Sequence, residues 1–175
     1  MIAKRRSPAV ASKYAEIGGG SPILEWTNRQ GAAVISKLSE KYPETMFKHF
    51  VGFRYAEPLL EDTLRQIESE QFDNVIAFSQ YAQYCCNTTG SSLNQLYRFY
   101  KNDANDKARK PPFHLSIIDR WPTNSGLIDC FKQLIQQEID QLNPNVRSQA
   151  LLLFTAHSLP SSVSFYFNIF LFFLL

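Results

Sequence analysis

The chain has 175 residues, 45 % hydrophobic and 19 % charged, with nine Pro and seven Gly, which excludes disordered, collagen-like and coiled-coil classes. A chain of this length buries about 70 % of its unfolded surface, so a core can form without disulfides or metals. Eighteen Lys and Arg against sixteen Asp and Glu leave +2, too balanced for a nucleic-acid binder, although Lys4, Arg5 and Arg6 concentrate charge at the start.

That basic start is followed by no apolar run and no Ser- and Arg-rich presequence, so no targeting signal is readable. Ser7-Pro8 and Ser21-Pro22 each offer an N-cap serine with proline at the first helical position. Gly18-Gly19-Gly20 stops the first of these two helices. Residues 46–53 are apolar and aromatic and predict a strand. Leu59, Leu60, Leu64 and Ile67 then predict a helix, 75–78 a strand, and Leu93, Leu96, Tyr97 and Tyr100 a second helix of this period. A strand over 113–118, a helix carrying Ile128, Phe131, Leu134, Ile135 and Ile139, and a strand over 150–154 complete the pattern. Each helical stripe is expected to face a core.

From residue 161 the composition changes sharply, and five of the fourteen Phe fall within the last eleven residues. The apolar stretch from Val163 is 13 residues, whereas a membrane helix needs about 20. The tail reads as out-of-frame or read-through sequence without an evolved role; the alternative is a membrane-surface anchor or a buried partner strand.

The order ααβαβαβαβ predicts an α/β fold, a parallel sheet flanked by helices on both faces. Ligands of such sheets bind beyond the carboxyl ends of the strands. There the chain places Arg54-Tyr55, Gln80-Tyr81, Asp119-Arg120-Trp121 and Ala156-His157-Ser158. No nucleotide-binding glycine motif is present, because Gly18 to Gly20 follow a helix. Thr88 to Ser92, between a strand and a helix, reads either as an anion-holding turn or as an ordinary cap. Cys85, Cys86 and Cys130 show no CxxC spacing and indicate a reducing compartment. His49 and His114 read as structural or surface residues. His157, delivered from an apolar strand to the sheet edge, can accept a proton or bind a metal, and a structural role stands beside that reading.

The segments IAKRR (2–6), IGGGSPI (17–23), GFRY (52–55), QYAQYCCNTTGSSLNQLYRFY (80–100), IDRWPT (118–123) and TAHSLP (155–160) resemble ferrochelatase, the terminal enzyme of haem synthesis. The resemblance implies a chelatase-like, Rossmann-like half, incomplete at both ends. Residues 1–160 form part of a first α/β domain and 161–175 a divergent hydrophobic tail. It implies insertion of ferrous iron, as substrate, into protoporphyrin IX, with this chain incomplete as a catalyst. The alternative is a non-catalytic porphyrin-binding or partner-binding fragment.

On the matching positions, the resemblance makes His157 the proton acceptor or metal ligand over the porphyrin centre. Arg6, Tyr14 and Ser21, with Arg5 adjacent, bind porphyrin; Arg54 and Tyr55 line the pocket; Tyr81 and Trp121 lie near the metal path. Cys86 matches one ligand of the [2Fe–2S] cluster of animal relatives, and one thiolate cannot hold such a cluster. Where relatives continue DRWPT with histidine, this chain has Asn124-Ser125, which removes an imidazole. The family further implies a homodimer, contact with a membrane surface, no nucleic acid, and the matrix side of the mitochondrial inner membrane.

Overall fold

The computed structural model describes residues 2–101, 109–155 and 172–173, with the backbone alone at 2–6, 155 and 172–173. The chain divides into two compact units, Met1–Glu70 and Gln71–Leu175.

The first unit opens with helix α1, Ile2–Glu16, which contains Pro8. The expected start at Ser7-Pro8 is therefore not a start. Pro8 has no N–H to give the carbonyl four residues back, and the helix-forming Ala, Lys and Arg residues around it carry the helix through. The glycine stop is as expected. Gly18 N–H bonds to the Ala15 carbonyl at 3.3 Å and Gly19 N–H to Tyr14 at 2.7 Å, the paired bonds of a Schellman turn. Gly18 and Gly19 have φ of +100° and +93°, a region that side-chain-bearing residues rarely enter. Helix α2, Ile23–Lys41, starts one residue later than proline at the first position would give. Ser21 still contributes, since its hydroxyl accepts from Ile23 N–H at 3.3 Å.

Residues 46–53, expected as a strand, form no ladder beyond a single bridge, Phe53 to Leu59. Their backbone groups are satisfied elsewhere. Phe53 N–H bonds to Pro58 and Leu60 N–H to Phe53, both at 2.8 Å, and the Val51 carbonyl accepts from the Thr63 hydroxyl at 2.9 Å. Strand-like composition describes a residue's fit to a pleated surface, whereas a ladder needs a second extended segment in register. Helix α3, Leu60–Ser69, carries the core of this unit, with Thr63, Leu64 and Ile67 buried as the spacing predicts. Lys48, ion-paired to Glu70, ties the extended segment to the end of α3. That bond, seconded by Gln66, holds the Glu70 carboxyl below its ordinary range.

The second unit is a strand–helix–strand crossover: β1, Asn74–Phe78; α4, Thr89–Lys101; and β2, His114–Ile118. β1 and β2 pair in parallel, Asn74 opposite His114 through Phe78 opposite Ile118. Leu96 and Tyr100 of α4 are buried with Phe113, and the Tyr100 and Phe113 rings meet edge-on at 6.4 Å. Tyr97, counted in the predicted stripe, is 59 % exposed. Helix α5, Ser125–Gln141, is followed by the short α6, Pro144–Arg147. The α5 stripe departs from its expected burial: Ile128, Phe131 and Leu134 are exposed, as are Ile76, Phe78 and Ile118 on one face of the sheet.

The α/β class and the parallel pairing hold, while among the described residues the parallel sheet has two strands where four were expected. The fourth expected strand, 150–154, is reduced to β3, Phe154–Thr155, which pairs antiparallel with β4, Phe172–Phe173, from the apolar tail. An open strand end takes whichever β-prone segment reaches it, and here the Phe-rich tail does so. Among the described residues no helix is long and apolar enough to cross a membrane.

His49, expected to be a structural or surface residue, packs on α2 at Gly31. A Cβ there would stand 2.5 Å from His49 Cδ2 and 2.8 Å from Cγ. Gly31→Ala is expected to destabilise the chain by about 1 kcal/mol, because overpacking costs about 1–3 kcal/mol against about 1 kcal/mol of helix propensity gained. Adding His49→Ala should restore stability above that of the single variant. Urea unfolding of the four species measures this, and a stabilising Gly31→Ala by itself would contradict the packing.

Candidate functional site

Because β1 and β2 are parallel, their carboxyl ends lie at the same edge, and the residues that follow them are brought together although about 40 positions separate them in sequence. After β1 the chain turns through Ser79, Gln80, Tyr81 and Ala82; after β2 it runs through Asp119, Arg120 and Trp121. Trp121 joins the two. Its backbone N–H donates to the Ala82 carbonyl and its indole N–H to the Ser79 carbonyl, both at 2.8 Å. The indole also rests against Phe78, ring centres 5.6 Å apart. Tyr81, next to the bonded Ala82, is 50 % exposed.

Asp119 and Arg120 form a forked ion pair, with Arg120 Nη2 2.7 Å and Nε 3.1–3.2 Å from the carboxylate oxygens. The guanidinium lies over the Tyr84 ring, 4.7 Å from its centre. The Arg120 hydrogen bond holds the Asp119 carboxyl below the ordinary aspartate range, and the same bond raises Arg120. Opposite charges therefore stand together in the segment that follows β2, against the Tyr84 ring.

At the Thr88 to Ser92 turn two backbone amides have partners of their own. Thr88 and Gly90 N–H both donate to the Cys85 carbonyl, at 3.2 and 2.9 Å, so these two amides are spent within the turn. Thr89 is 1 % exposed, and its hydroxyl pairs with that of Ser79 at 3.0 Å. Asn124, at the position where histidine was expected from relatives, caps α5, its Oδ1 accepting from Gly126 N–H at 3.0 Å.

The remaining expected site residues fall as follows. Arg5 and Arg6 lie on the backbone of α1, Tyr14 near its end and Ser21 at the entry to α2. Tyr14 and Ser21 are exposed. Arg54 lies over the Tyr55 ring at 4.9 Å, and Tyr55 is 81 % exposed. His157 lies outside the described residues. Cys86 is exposed and donates to Asn87 Oδ1 at 3.7 Å, while the adjacent Cys85 is buried. A [2Fe–2S] cluster needs four ligands, and among the described residues no group of three or more His, Cys, Asp or Glu could hold a metal, so this donor set does not fit the cluster. An open groove of about 340 Å³ in the first unit, lined by Leu24, Asn28, His49, Val51, Thr63 and Gln66 among others, contains none of the expected site residues.

Sequence reading singled out Tyr81 and Trp121 and the turn that contains Thr89, but not Ser79 or its hydroxyl bond to Thr89. Ser79 and Thr89 are small hydroxyl residues whose significance is their mutual bond, and nothing local to either announces it.

The Asp119 carboxyl is expected to titrate below the ordinary aspartate value of about 3.9. With its folded pKa depressed, the stabilisation by this pair is present above the unfolded value and is lost as pH falls through the folded one. Carbon-13 NMR of the carboxyl measures the midpoint, and Arg120→Gln should move it upward; an unchanged midpoint would contradict the pairing.

A family model described as Ferrochelatase matches residues 1–165. The mitochondrial ferrochelatase of Gallus gallus is 48 % identical over 163 residues, covering 93 % of this chain and 40 % of the relative. That of Homo sapiens is 48 % identical over 93 % of this chain and 38 % of the relative. That of Schizosaccharomyces pombe is 44 % identical over 92 % and 37 %. The chain thus spans about two fifths of the length of the relatives it matches. With the family pattern running from residue 1 to residue 165 and two of its separated segments meeting at one sheet edge, this chain belongs to the ferrochelatase family.

Proposed function

We propose that this chain supplies porphyrin-binding and metal-path residues for the insertion of ferrous iron into protoporphyrin IX. The observation that carries the reading is the bonding of Trp121 to the Ser79 to Ala82 turn that bears Tyr81, at the carboxyl edge of the sheet, within a sequence 48 % identical to a named ferrochelatase. In the reaction two pyrrole N–H protons leave, the four-nitrogen core of the porphyrin becomes a dianion, and the ferrous ion enters and offsets that core charge, the peripheral carboxylates being unchanged. A base must take those protons, and an imidazole, able to gain and lose a proton near neutrality, suits that task, so His157 is assigned to it.

Arg6 and Ser21, with Arg5 adjacent, are proposed to hold the porphyrin carboxylates. A guanidinium gives two parallel donors to a carboxylate, and a hydroxyl gives one. Tyr14 packs on the macrocycle and Arg54 with Tyr55 lines the pocket. Tyr81 and Trp121 flank the iron's way in. The relatives named are mitochondrial, and we assign this chain to mitochondria, at the matrix face of the inner membrane, in a homodimer. Residues 1–160 belong, in this proposal, to one domain of the assembled enzyme.

The test is a chimera carrying this chain and the rest of the Gallus gallus relative, assayed anaerobically with ferrous iron. His157→Ala should lower metalloporphyrin formation by about 10²- to 10⁴-fold, the usual contribution of a positioned proton acceptor. Protoporphyrin affinity, read by fluorescence titration, should stay unchanged. Arg6→Ala and Ser21→Ala should each weaken porphyrin binding by about ten-fold, the worth of one charge-assisted contact. Turnover retained in a folded His157→Ala chimera, or lost together with all porphyrin binding, would remove His157 from this role.

A further inference from the structure

We infer that Ser79 is a positioning residue for Tyr81, acting with Thr89 and Trp121. Ser79 follows the last residue of β1, and each of its polar groups is engaged by a different element. Its N–H donates to the Ile118 carbonyl of β2 at 2.9 Å. Its carbonyl accepts the Trp121 indole N–H at 2.8 Å, and its hydroxyl pairs with that of Thr89, at the head of α4, at 3.0 Å. Three residues later the Ala82 carbonyl accepts the Trp121 backbone N–H at 2.8 Å. The two residues between, Gln80 and Tyr81, are held at both ends by one tryptophan.

The surroundings favour a firm tie. Thr89 is 1 % exposed, so its hydroxyl bond to Ser79 is sheltered from competing water. The indole is braced by Phe78, with ring centres 5.6 Å apart. Tyr81 nonetheless remains 50 % exposed, so an accessible residue stands on a backbone tied on both sides. The indole is a donor only and has no lone pair for a metal, and its N–H is already engaged by Ser79. Trp121 therefore acts through the turn, and Ser79 and Thr89 join it in setting where the Tyr81 ring is presented. The functional consequence rests on the proposal that Tyr81 flanks the iron's way in.

The test is fluorine NMR of the full chain grown with 3-fluorotyrosine, with no metal or porphyrin present. The chain has eight Tyr, and Tyr81→Phe identifies the resonance of interest by its loss. In Thr89→Val, Ser79→Ala and Trp121→Phe, the Tyr81 line is expected to narrow about two-fold as the ring gains freedom, while Thr89→Ser keeps the parental line. Ser79→Ala removes only the hydroxyl and reads the same bond should Thr89→Val fail to fold. Unchanged Tyr81 lines in folded Ser79→Ala and Trp121→Phe would overturn the inference. So would equal changes at Tyr14 and Tyr42, since that marks a loss of general order and not of a local tie. The two readings fail separately: metal insertion retained by a Tyr81→Phe chimera removes Tyr81 from the iron's way and leaves its positioning intact, whereas an unchanged fluorine line leaves the iron reading untouched.

Discussion

Two parallel strands cannot be joined by a tight turn. The connection from β1 to β2 has to travel back along the sheet, and α4 is that return. One geometric demand therefore brings Trp121 to the turn that bears Tyr81, sets Thr89 at the head of a helix beside the end of β1, and leaves the Asp119–Arg120 pair at the same edge. Buried contacts of Leu96, Tyr100 and Phe113 hold the crossover in place, burying side chains whose transfer from water is worth about 1.5–3 kcal/mol each. Without the parallel register, the residues of the site would be scattered along the chain.

The first unit is organised by a different constraint. Among the described residues its extended segment has a single bridge and no ladder, so its backbone is satisfied by the entry to α3 and by Thr63, and its Lys48 is anchored by Glu70. Close approach substitutes for a ladder: His49 reaches α2 only because residue 31 lacks a Cβ. The turn from α1 to α2 relies on glycine for another reason, since Gly18 and Gly19 adopt positive φ so that the last carbonyls of α1 find donors. Tyr14 and Ser21, both proposed to meet porphyrin, lie on either side of that turn, and the Ser21 hydroxyl already accepts from Ile23 N–H. A hydroxyl accepting one bond retains its own proton to give to an anionic group.

Exposed apolar surface distinguishes this chain from a self-contained core. The α5 stripe of Ile128, Phe131 and Leu134 and the sheet face of Ile76, Phe78 and Ile118 were each expected to be covered, and both are open to solvent. A period of 3.6 states which residues share a face and is silent about what lies opposite. Surfaces of this kind are where soluble proteins take partners or lose solubility.

Much was determined by sequence alone. The spacing of Leu64 and Ile67, and of Leu96 and Tyr100, identifies helices and their buried faces; the glycine triplet identifies a stop; the short β-branched runs identify β1 and β2; and the ordered motifs identify the family. These are local properties, written within a few residues. Tertiary structure alone decided the rest. Whether 46–53 forms a ladder depends on a partner segment, whether α5 is covered depends on what packs against it, and the start of α1 depends on helix formers outweighing Pro8. The bonds from Ser79 to Thr89, Trp121 and Ile118 join residues 10 to 42 positions apart, and hydroxyls and carbonyls carry no mark of the partner they will find. Periodicity can be read along a chain because it repeats there, whereas a long-range hydrogen bond exists only once the backbone has brought both ends to within about 3 Å.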